Sequence, residues 1–190
     1  MKQLPLPPLI AAAAAVAAPP RFHLATVTES LLERAFDIES ASYPLDEAAT
    51  REKLQVRIRE APEFFYGAFE DNTDSRISPV LQGFICGTLT SSETLTDEAM
   101  STHDPLGRTL CIHSVVVDAA HRRQGVATWM LKNYLARIAE HTSATNVLLI
   151  CKDELVKFYE SCGFASLGRS DIVHGQDSWI DMGLAIRRGA

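Results

Sequence analysis

The heptapeptide HRRQGVA, residues 121–127, decides the fold that this sequence predicts. It lies between the apolar run VVV (115–117) and a long helical pattern, and its small residues Gly125 and Ala127 accompany two arginines. A helix N-terminus leaves backbone N–H groups without intrahelical partners and carries partial positive charge, so such a turn can hold a diphosphate. The spacing is that of neither a P-loop nor G-x-G-x-x-G. On these residues alone, an ordinary strand–turn–helix connection explains the pattern equally well.

The rest of the chain alternates strand-like and helix-like patterns. Apolar spacing predicts helices over 29–40, capped by Thr28, and over about 46–59. A third helix follows the heptapeptide to about His141, and a short fourth one ends at Gly163. Strands are predicted at 21–27, 63–70, 80–90, 108–117, 146–151 and 177–186. This order predicts a mixed α/β domain whose one sheet is covered by helices on both sides.

A long polar stretch separates two of the predicted strands. Residues 91–107 predict a loop, with a helical turn near 97–100. Structureless loops of this length are uncommon in compact domains. The stretch is therefore a candidate functional loop.

Length and composition bound the class of protein. The 190 residues suit one domain, and the net charge of −6 argues against a nucleic-acid partner, because an acidic surface repels the phosphate backbone. The four cysteines lie far apart without metal-ligand spacing, so we expect reduced core cysteines, no metal site and a cytoplasmic location. No stretch approaches the roughly 20 apolar residues of a membrane span, so no membrane partner is expected. We expect a monomer.

The first twenty residues form a separate low-complexity segment. MKQLPLPPLIAAAAAVAAPP is rich in proline and alanine, and three early prolines interrupt its apolar pattern. We expect a disordered leader over 1–20. An organellar transit peptide and a secretory signal are the alternatives.

Two blocks of the sequence resemble a known family. R-x-x-G-x-A at 122–127, after SVVVDAAH, resembles the acetyl-CoA diphosphate loop of the GCN5-related N-acetyltransferase (GNAT) superfamily. LLICKDELVKFYESCGF (148–164) resembles that superfamily's following strand and helix. Together with CIHSVVV (111–117), these blocks are similar to the serotonin (arylalkylamine) N-acetyltransferases, including their non-vertebrate branch. The likeness covers roughly 22–186 and is strongest over 108–164.

The resemblance implies an architecture. It is the α/β (α+β) GNAT fold, in which helices flank a central mixed, mostly antiparallel sheet. Acetyl-CoA then lies in a splay between two central parallel strands. A single N-acetyltransferase domain over 21–190 is expected.

The resemblance also implies site residues. Backbone groups of the strand end would contact the pantetheine arm, namely Val115, Val116 and Val117. The turn would hold the diphosphate, through Arg122, Arg123, Gln124, Gly125, Val126, Ala127 and Thr128. Tyr159 would be the general acid for the departing thiolate, although by itself a core tyrosine is the simpler interpretation. The acceptor site would be lined by Leu89, Cys111 and Ile150, for which core packing is the alternative.

His113 is the candidate proton acceptor, and its neighbourhood departs from the family pattern. Strand periodicity places Cys111, His113 and Val115 on one face and Ser114 on the other. The serotonin acetyltransferases resembled here have two histidines flanking one residue on this strand, whereas Cys111 stands at the first position. His113 would then act alone or through water, and a structural histidine is the alternative. Cys111 as a nucleophile is a weaker hypothesis.

These observations predict a reaction with several possible acceptors. The leading hypothesis is acetyl transfer from acetyl-CoA to the primary amine of a small arylalkylamine such as serotonin, tryptamine or phenethylamine, by direct attack in a ternary complex. A polyamine or diamine acceptor is the first alternative, and a protein N-terminus or lysine the next. Aromatic residues (Phe64, Phe65, Tyr66, Phe69) next to acidic ones (Glu60, Glu63, Glu70, Asp71) permit either small-amine class. A non-catalytic CoA-binding sensor is the alternative outside the enzymes.

Overall fold

A computed structural model describes residues 9–11, 16–19, 21–74, 76–96 and 98–187 of the chain. The chain divides into two compact units. The first unit comprises Met1–Ala13, Thr88–Ile112 and Leu135–Ala190, and the second comprises Ala14–Gly87 and His113–Tyr134.

Four α-helices and eight strands form the described structure. The helices are α1 (Leu32–Ser40), α2 (Arg51–Glu60), α3 (Val126–His141) and α4 (Val156–Ser161). The strands are β1 (Leu9–Ala11), β2 (Phe22–Thr26), β3 (Phe65–Glu70), β4 (Val80–Thr90), β5 (Thr109–Val117), β6 (Asn146–Cys151), β7 (Ala165–Arg169) and β8 (Ile180–Arg187). None of the described helices combines the length and the hydrophobicity that a membrane span requires.

The second unit builds its core between strands and the first two helices. β2 pairs with β3 and β3 with β4, both antiparallel. Helix α1 buries Leu32, Ala35 and Ile38, which lie at helical spacing on one stripe. These side chains share one apolar core with α2 and the strands, including Leu54, Phe65, Leu81, Phe84 and Val116. Because Val116 is buried in this core, the residues that lead to the heptapeptide 121–127 are held in place.

The first unit is organised around β8. This strand pairs antiparallel with β6 and with β7, and parallel with β1. β5 and β6 pair in parallel over three residue pairs, Thr109–Cys111 with 146–148. Cys111 is thus the last residue of β5 in this ladder.

The strand order confirms the expected fold class. Hydrogen-bonded neighbours follow the order β1-β8-β6-β5-β4-β3-β2, with β7 attached to β8. The sheet is mixed and mostly antiparallel, and β5 and β6 are the expected central parallel pair. β4 and β5 each continue from one unit into the other.

Two predicted helices begin differently from expectation. Residues Glu29–Leu31 form a 3₁₀ turn before α1, and the side chain of Thr28 makes no capping bond to the backbone. α2 begins at Arg51 rather than near residue 46, because the side chain of Thr50 accepts the N–H of Lys53 and caps the helix there. The predictions that Thr28 caps the first helix and that α2 begins near residue 46 were therefore wrong.

The remaining predicted elements are present with shifts of a few residues at their ends. Gly163 has φ 101° two residues after α4 ends, as expected of a helix-terminating glycine. The loop after β4 contains the expected turn, in which the N–H of Ala99 donates to the Thr96 hydroxyl. β7 was not predicted, because its mostly exposed residues lack a clear strand pattern.

The expectation of a disordered leader falls mainly outside the described residues. Within them, Leu9–Ala11 form β1 against the end of β8, pairing Leu9 with Ala185. No pattern in the low-complexity segment predicted that strand.

Candidate functional site

The turn before α3 presents an open backbone surface in the second unit. Gly125 has φ 82°, and a Cβ added there would meet no atom within 4 Å. Arg123, two residues before Gly125, has φ 61°, a left-handed conformation that side-chain-bearing residues rarely adopt. α3 begins directly afterwards, with the N–H of Trp129 donating to the carbonyl of Gly125. The turn therefore combines an unobstructed approach with an unusual backbone, as ligand-binding loops often do.

The two arginines of the turn differ in their contacts. Arg122 donates from Nε to the carbonyl of Val117 at 2.8 Å and from Nη2 to the Ser42 hydroxyl at 3.0 Å. The side chain of Gln124 donates to the carbonyl of Ala120 at 2.8 Å. Arg123 is exposed. Arg122 and Gln124 thus stabilise the turn, whereas the Arg123 charge faces solvent.

The end of β5 alternates as strand periodicity predicted. Ser114 and Val116 are buried, while His113 and Val115 are partly exposed. The buried face contacts α1: the Ser114 hydroxyl donates to Oε1 of Glu39 at 3.0 Å. The segment 113–117 is thereby held from the α1 side.

Glu39 is a buried carboxyl that sequence reasoning did not single out. It is 1% exposed, and its Oε1 also accepts the backbone N–H of Ala49 at 3.0 Å. Its Oε2 has no hydrogen-bond partner in the described part of the chain. Burial raises the pKa of Glu39 above its ordinary value, although the bonds from Ala49 and Ser114 oppose this shift. Its sequence signal was a charged residue on the apolar stripe of α1.

Tyr43 contacts the predicted pantetheine segment. Its phenol lies near the backbone of Val115. Burial raises the pKa of Tyr43 above its ordinary value, and the charge of Glu39 acts in the same direction, whereas the backbone of Val115 lowers it slightly. The phenol is therefore neutral at physiological pH. The connection between α1 and α2, which contains Tyr43, thus lies beside β5.

His113 is held in its neutral form. Although the residue is partly exposed, its Nδ1 is buried, and this desolvation lowers the pKa of His113 well below the ordinary value; the positive charges of Arg57 and Lys53 lower it further. A neutral imidazole has a nitrogen lone pair for a proton, although its low pKa makes it a weak base.

The first unit contains the remaining candidate residues. Tyr159, on α4, is 6% exposed, and its ring makes edge contacts with Phe158 and Phe164 at centroid distances of 4.9 and 5.7 Å. Ile150 is partly exposed on β6. Cys111 is fully buried, and burial raises its thiol pKa to about 12. Cys111 is therefore a protonated thiol at neutral pH.

Leu89 is held by the long polar loop. Its N–H donates to Nδ1 of His103 at 3.1 Å, and its carbonyl accepts the N–H of Asp104 at 2.8 Å. The same loop encloses a cavity of about 330 Å³. The cavity is lined mainly by hydroxyl and carboxyl side chains, namely Thr90, Ser91, Ser92, Thr96, Glu98, Thr102 and Asp104. A polar cavity with two carboxylates suits a cationic group.

Most of the aromatic side chains that the sequence offered as pocket residues are packed in the core. Phe64, Phe65 and Phe69 are between 0% and 7% exposed. Tyr66 makes an edge contact with Tyr134 at a centroid distance of 6.0 Å. These rings therefore form core and leave little surface for a pocket wall. Among the described residues, no cluster of histidine, cysteine and carboxylate side chains could hold a metal ion.

Comparisons with known proteins agree with the fold. The family model described as "Acetyltransferase (GNAT) family" matches residues 28–164. The serotonin N-acetyltransferase of Mesocricetus auratus is 32% identical over 126 residues, which are 66% of this chain and 58% of that relative. The chain thus spans less than two thirds of the length of this relative. The serotonin N-acetyltransferase of Pan troglodytes is 29% identical over 80% of this chain and 72% of its own.

Solved structures show the same fold at low identity. The loading GNATL domain of CurA from Lyngbya majuscula superimposes with a TM-score of 0.73 and 12% identity. The match covers 86% of this chain and 97% of that domain. At this identity, the likeness concerns the fold alone.

Proposed function

The chain belongs to the acetyltransferase (GNAT) family, and from this premise we propose that it transfers an acetyl group from acetyl-CoA to the primary amine of a small arylalkylamine. The supporting relatives are serotonin N-acetyltransferases at about 30% identity. The observation that carries the proposal is the exposed turn at Arg122–Gly125, where Gly125 offers open backbone beside the first turn of α3.

The turn has the properties that a diphosphate requires. A side chain at position 125 would occupy the space through which the ligand approaches the backbone. The first N–H groups of α3 and the exposed charge of Arg123 supply electrostatic attraction. We assign the diphosphate to Arg123, Gln124, Gly125 and the helix start 126–128, and the pantetheine arm to the strand end 115–117.

The reaction needs one proton removed and one supplied. The amine nitrogen attacks the thioester carbonyl, a C–N bond forms, the C–S bond breaks, and CoA leaves as a thiolate. We assign the proton from the amine to the neutral His113, directly or through water. The Tyr159 phenol would donate its proton to the CoA sulfur. Leu89 and Ile150 would form apolar walls for the acceptor.

The state of Cys111 favours direct attack. A thiol whose pKa is raised to about 12 is almost entirely protonated at neutral pH, and the thiol is a much weaker nucleophile than the thiolate. An acetyl-cysteine intermediate is therefore disfavoured. Initial rates measured against both substrates should give intersecting double-reciprocal lines, and parallel lines would contradict a ternary complex.

A polyamine acceptor is the second candidate. The polar cavity with Glu98 and Asp104 supplies negative charge for an extended cationic amine. The core placement of Phe64, Phe65 and Phe69 removes part of the aromatic surface that an arylalkylamine would use.

An acceptor panel separates these functions. CoA thiol release is measured with tryptamine, serotonin, phenethylamine, spermidine, putrescine and a lysine peptide. We expect the highest kcat/KM with the aromatic amines. The highest value with spermidine would select the second candidate, and acetyl-CoA binding without release on any amine would favour a non-catalytic sensor.

A further inference from the structure

We propose that Arg34, on α1, is a positioning residue that fixes the entrance to the acetyl-CoA turn. The residue lies outside both family-like sequence blocks. The proposal deepens the proposed function and rests on it, because the turn matters only if acetyl-CoA binds there.

Arg34 joins three segments of the second unit. Its Nε donates to the carbonyl of Leu81 at 3.0 Å. Its Nη2 donates to Oε1 of Gln82 at 2.9 Å and to Oδ2 of Asp118 at 2.8 Å. The planar guanidinium therefore holds α1, β4 and the residue after β5 in one arrangement, which a single ammonium group cannot reproduce.

Asp118 transmits this constraint to the turn. Its backbone N–H donates to the carbonyl of Gln82 at 2.7 Å, and its Oδ1 accepts the N–H of Ala120 at 3.0 Å. The bond from Ala120 and the guanidinium of Arg34 lower the pKa of Asp118 below its ordinary value. A charged carboxylate thus connects Arg34 to the 3₁₀ turn Ala119–His121, directly before Arg122.

Gln82 connects Arg34 to the other end of that 3₁₀ turn. Its Nε2 donates to Oε2 of Glu70 at 3.2 Å, and the same oxygen lies 3.5 Å from Nε2 of His121. Residues 118 and 121 are therefore both held by contacts that begin at Arg34. We call Arg34, Gln82, Asp118, Glu70 and His121 the Arg34 network.

The network orders the residues directly before the turn, whose own stabilising contacts come from the side chains of Arg122 and Gln124. Residues Arg122–Gly125 lie between β5 and α3, with both Arg123 and Gly125 at positive φ. A ligand that binds an ordered backbone avoids the entropy cost of ordering it. Displacement of a binding group by about 1 Å can cost on the order of a hundredfold in rate. Loosening the entrance should therefore weaken contacts to the diphosphate and leave the thioester end unaffected.

The test compares acetyl-CoA with S-acetylpantetheine, a thioester that lacks the diphosphate and the 3′-phosphoadenosine attached to it. The ratio of kcat/KM for acetyl-CoA to that for S-acetylpantetheine is measured in wild type, Arg34→Ala, Arg34→Lys and Asp118→Asn. The matched control is Arg59→Ala, since Arg59 forms an exposed ion pair with Glu29 in the same unit. We expect Arg34→Ala to lower the ratio about tenfold, both milder variants to lower it less, and Arg59→Ala to leave it unchanged.

A second readout does not depend on catalysis. Amide hydrogen exchange of residues 122–126 is measured without ligand, together with acetyl-CoA affinity by calorimetry. We expect faster exchange and weaker binding in Arg34→Ala, with Arg34→Lys as the test if the alanine variant does not fold. Unchanged exchange and affinity, or equal losses with both thioesters, would overturn the inference. A wild-type chain that binds no acetyl-CoA would instead overturn the proposed function.

Discussion

At the scale of single residues, Gly125 and Gly168 have similar backbones in different settings. Their φ angles are 82° and 106°, and a Cβ at either position meets no atom within 4 Å. Only Gly125 lies in the proposed diphosphate turn. Substitutions at these two positions therefore distinguish the effect of backbone strain on stability from the effect of a side chain on ligand binding.

The first prediction uses this pair. Gly125→Ala and Gly168→Ala should each cost about 1 kcal/mol of folding free energy, since both place a side chain at positive φ. Only Gly125→Ala should weaken acetyl-CoA binding, by about tenfold or more, because its methyl group enters the ligand's space. Urea unfolding and calorimetry measure the two effects. Equal acetyl-CoA affinities for the two variants would show that the turn does not hold the diphosphate.

The second prediction compares two buried tyrosines. Tyr159→Phe should lower kcat by about 10²-fold, because the thiolate loses its proton donor, with acetyl-CoA affinity nearly unchanged. Tyr134→Phe is the control: its phenol donates to the carbonyl of Phe64 at 3.1 Å, so its loss should cost about 1 kcal/mol of stability and leave kcat intact. If Tyr159→Phe turned over normally, Tyr159 would be a core residue only.

At the scale of elements, Glu39 joins α1, β5 and the residues before α2. Because burial raises its pKa, the folded state binds its proton more tightly than the unfolded state does. Its contribution to stability is fully present below the unfolded value of about 4.5. That contribution is lost as pH rises through the higher folded pKa.

The third prediction follows from the loss of the Glu39 contribution to stability as pH rises. Glu39→Gln keeps an oxygen acceptor for Ser114 and Ala49 but cannot ionise. The stability of the variant relative to wild type should therefore increase as pH rises from 4.5 to 8. Urea unfolding across this range measures the difference, with exposed Glu60→Gln as a surface control. A stability difference independent of pH would contradict the assignment.

Elements with a strong apolar period were predictable from sequence, and those that depend on tertiary contacts were not. α3 has an apolar stripe and β6 a continuous apolar run; the bounds of β6 were predicted correctly, and α3 begins two residues earlier than predicted. β7 is mostly exposed and exists through its pairing with β8. The start of α2 depended on which of several polar residues caps it, and the structure selects Thr50.

The residues of the candidate site also differ in whether the sequence predicts them. Gly125 was predictable because a small residue before a helix has few explanations other than close approach or a special backbone conformation. The contacts of Arg34 were not predictable, because Gln82 and Asp118 lie 48 and 84 residues from it along the chain and local sequence patterns do not show such contacts. Positioning residues are therefore the part of the site that needed the structure.

At the scale of the whole molecule, all four cysteines are buried free thiols. Burial raises the pKa of Cys86, Cys111 and Cys151, which removes the reactive thiolate. The fourth prediction is that a thiol reagent such as DTNB reacts slowly with the native protein and with four thiols after denaturation. A rapidly reacting native thiol would contradict this burial. Slow reaction also makes CoA release easy to measure with the same reagent.

The central claim is acetyl transfer from acetyl-CoA to a primary amine. The most direct measurement follows a ¹³C-labelled acetyl group from acetyl-CoA by NMR in the presence of tryptamine, with spermidine as the second acceptor. We predict that the label appears as an amide on the tryptamine nitrogen, with one CoA thiol released for each amide formed. Label that remains on acetyl-CoA with both amines, or that leaves only as free acetate, would contradict the account.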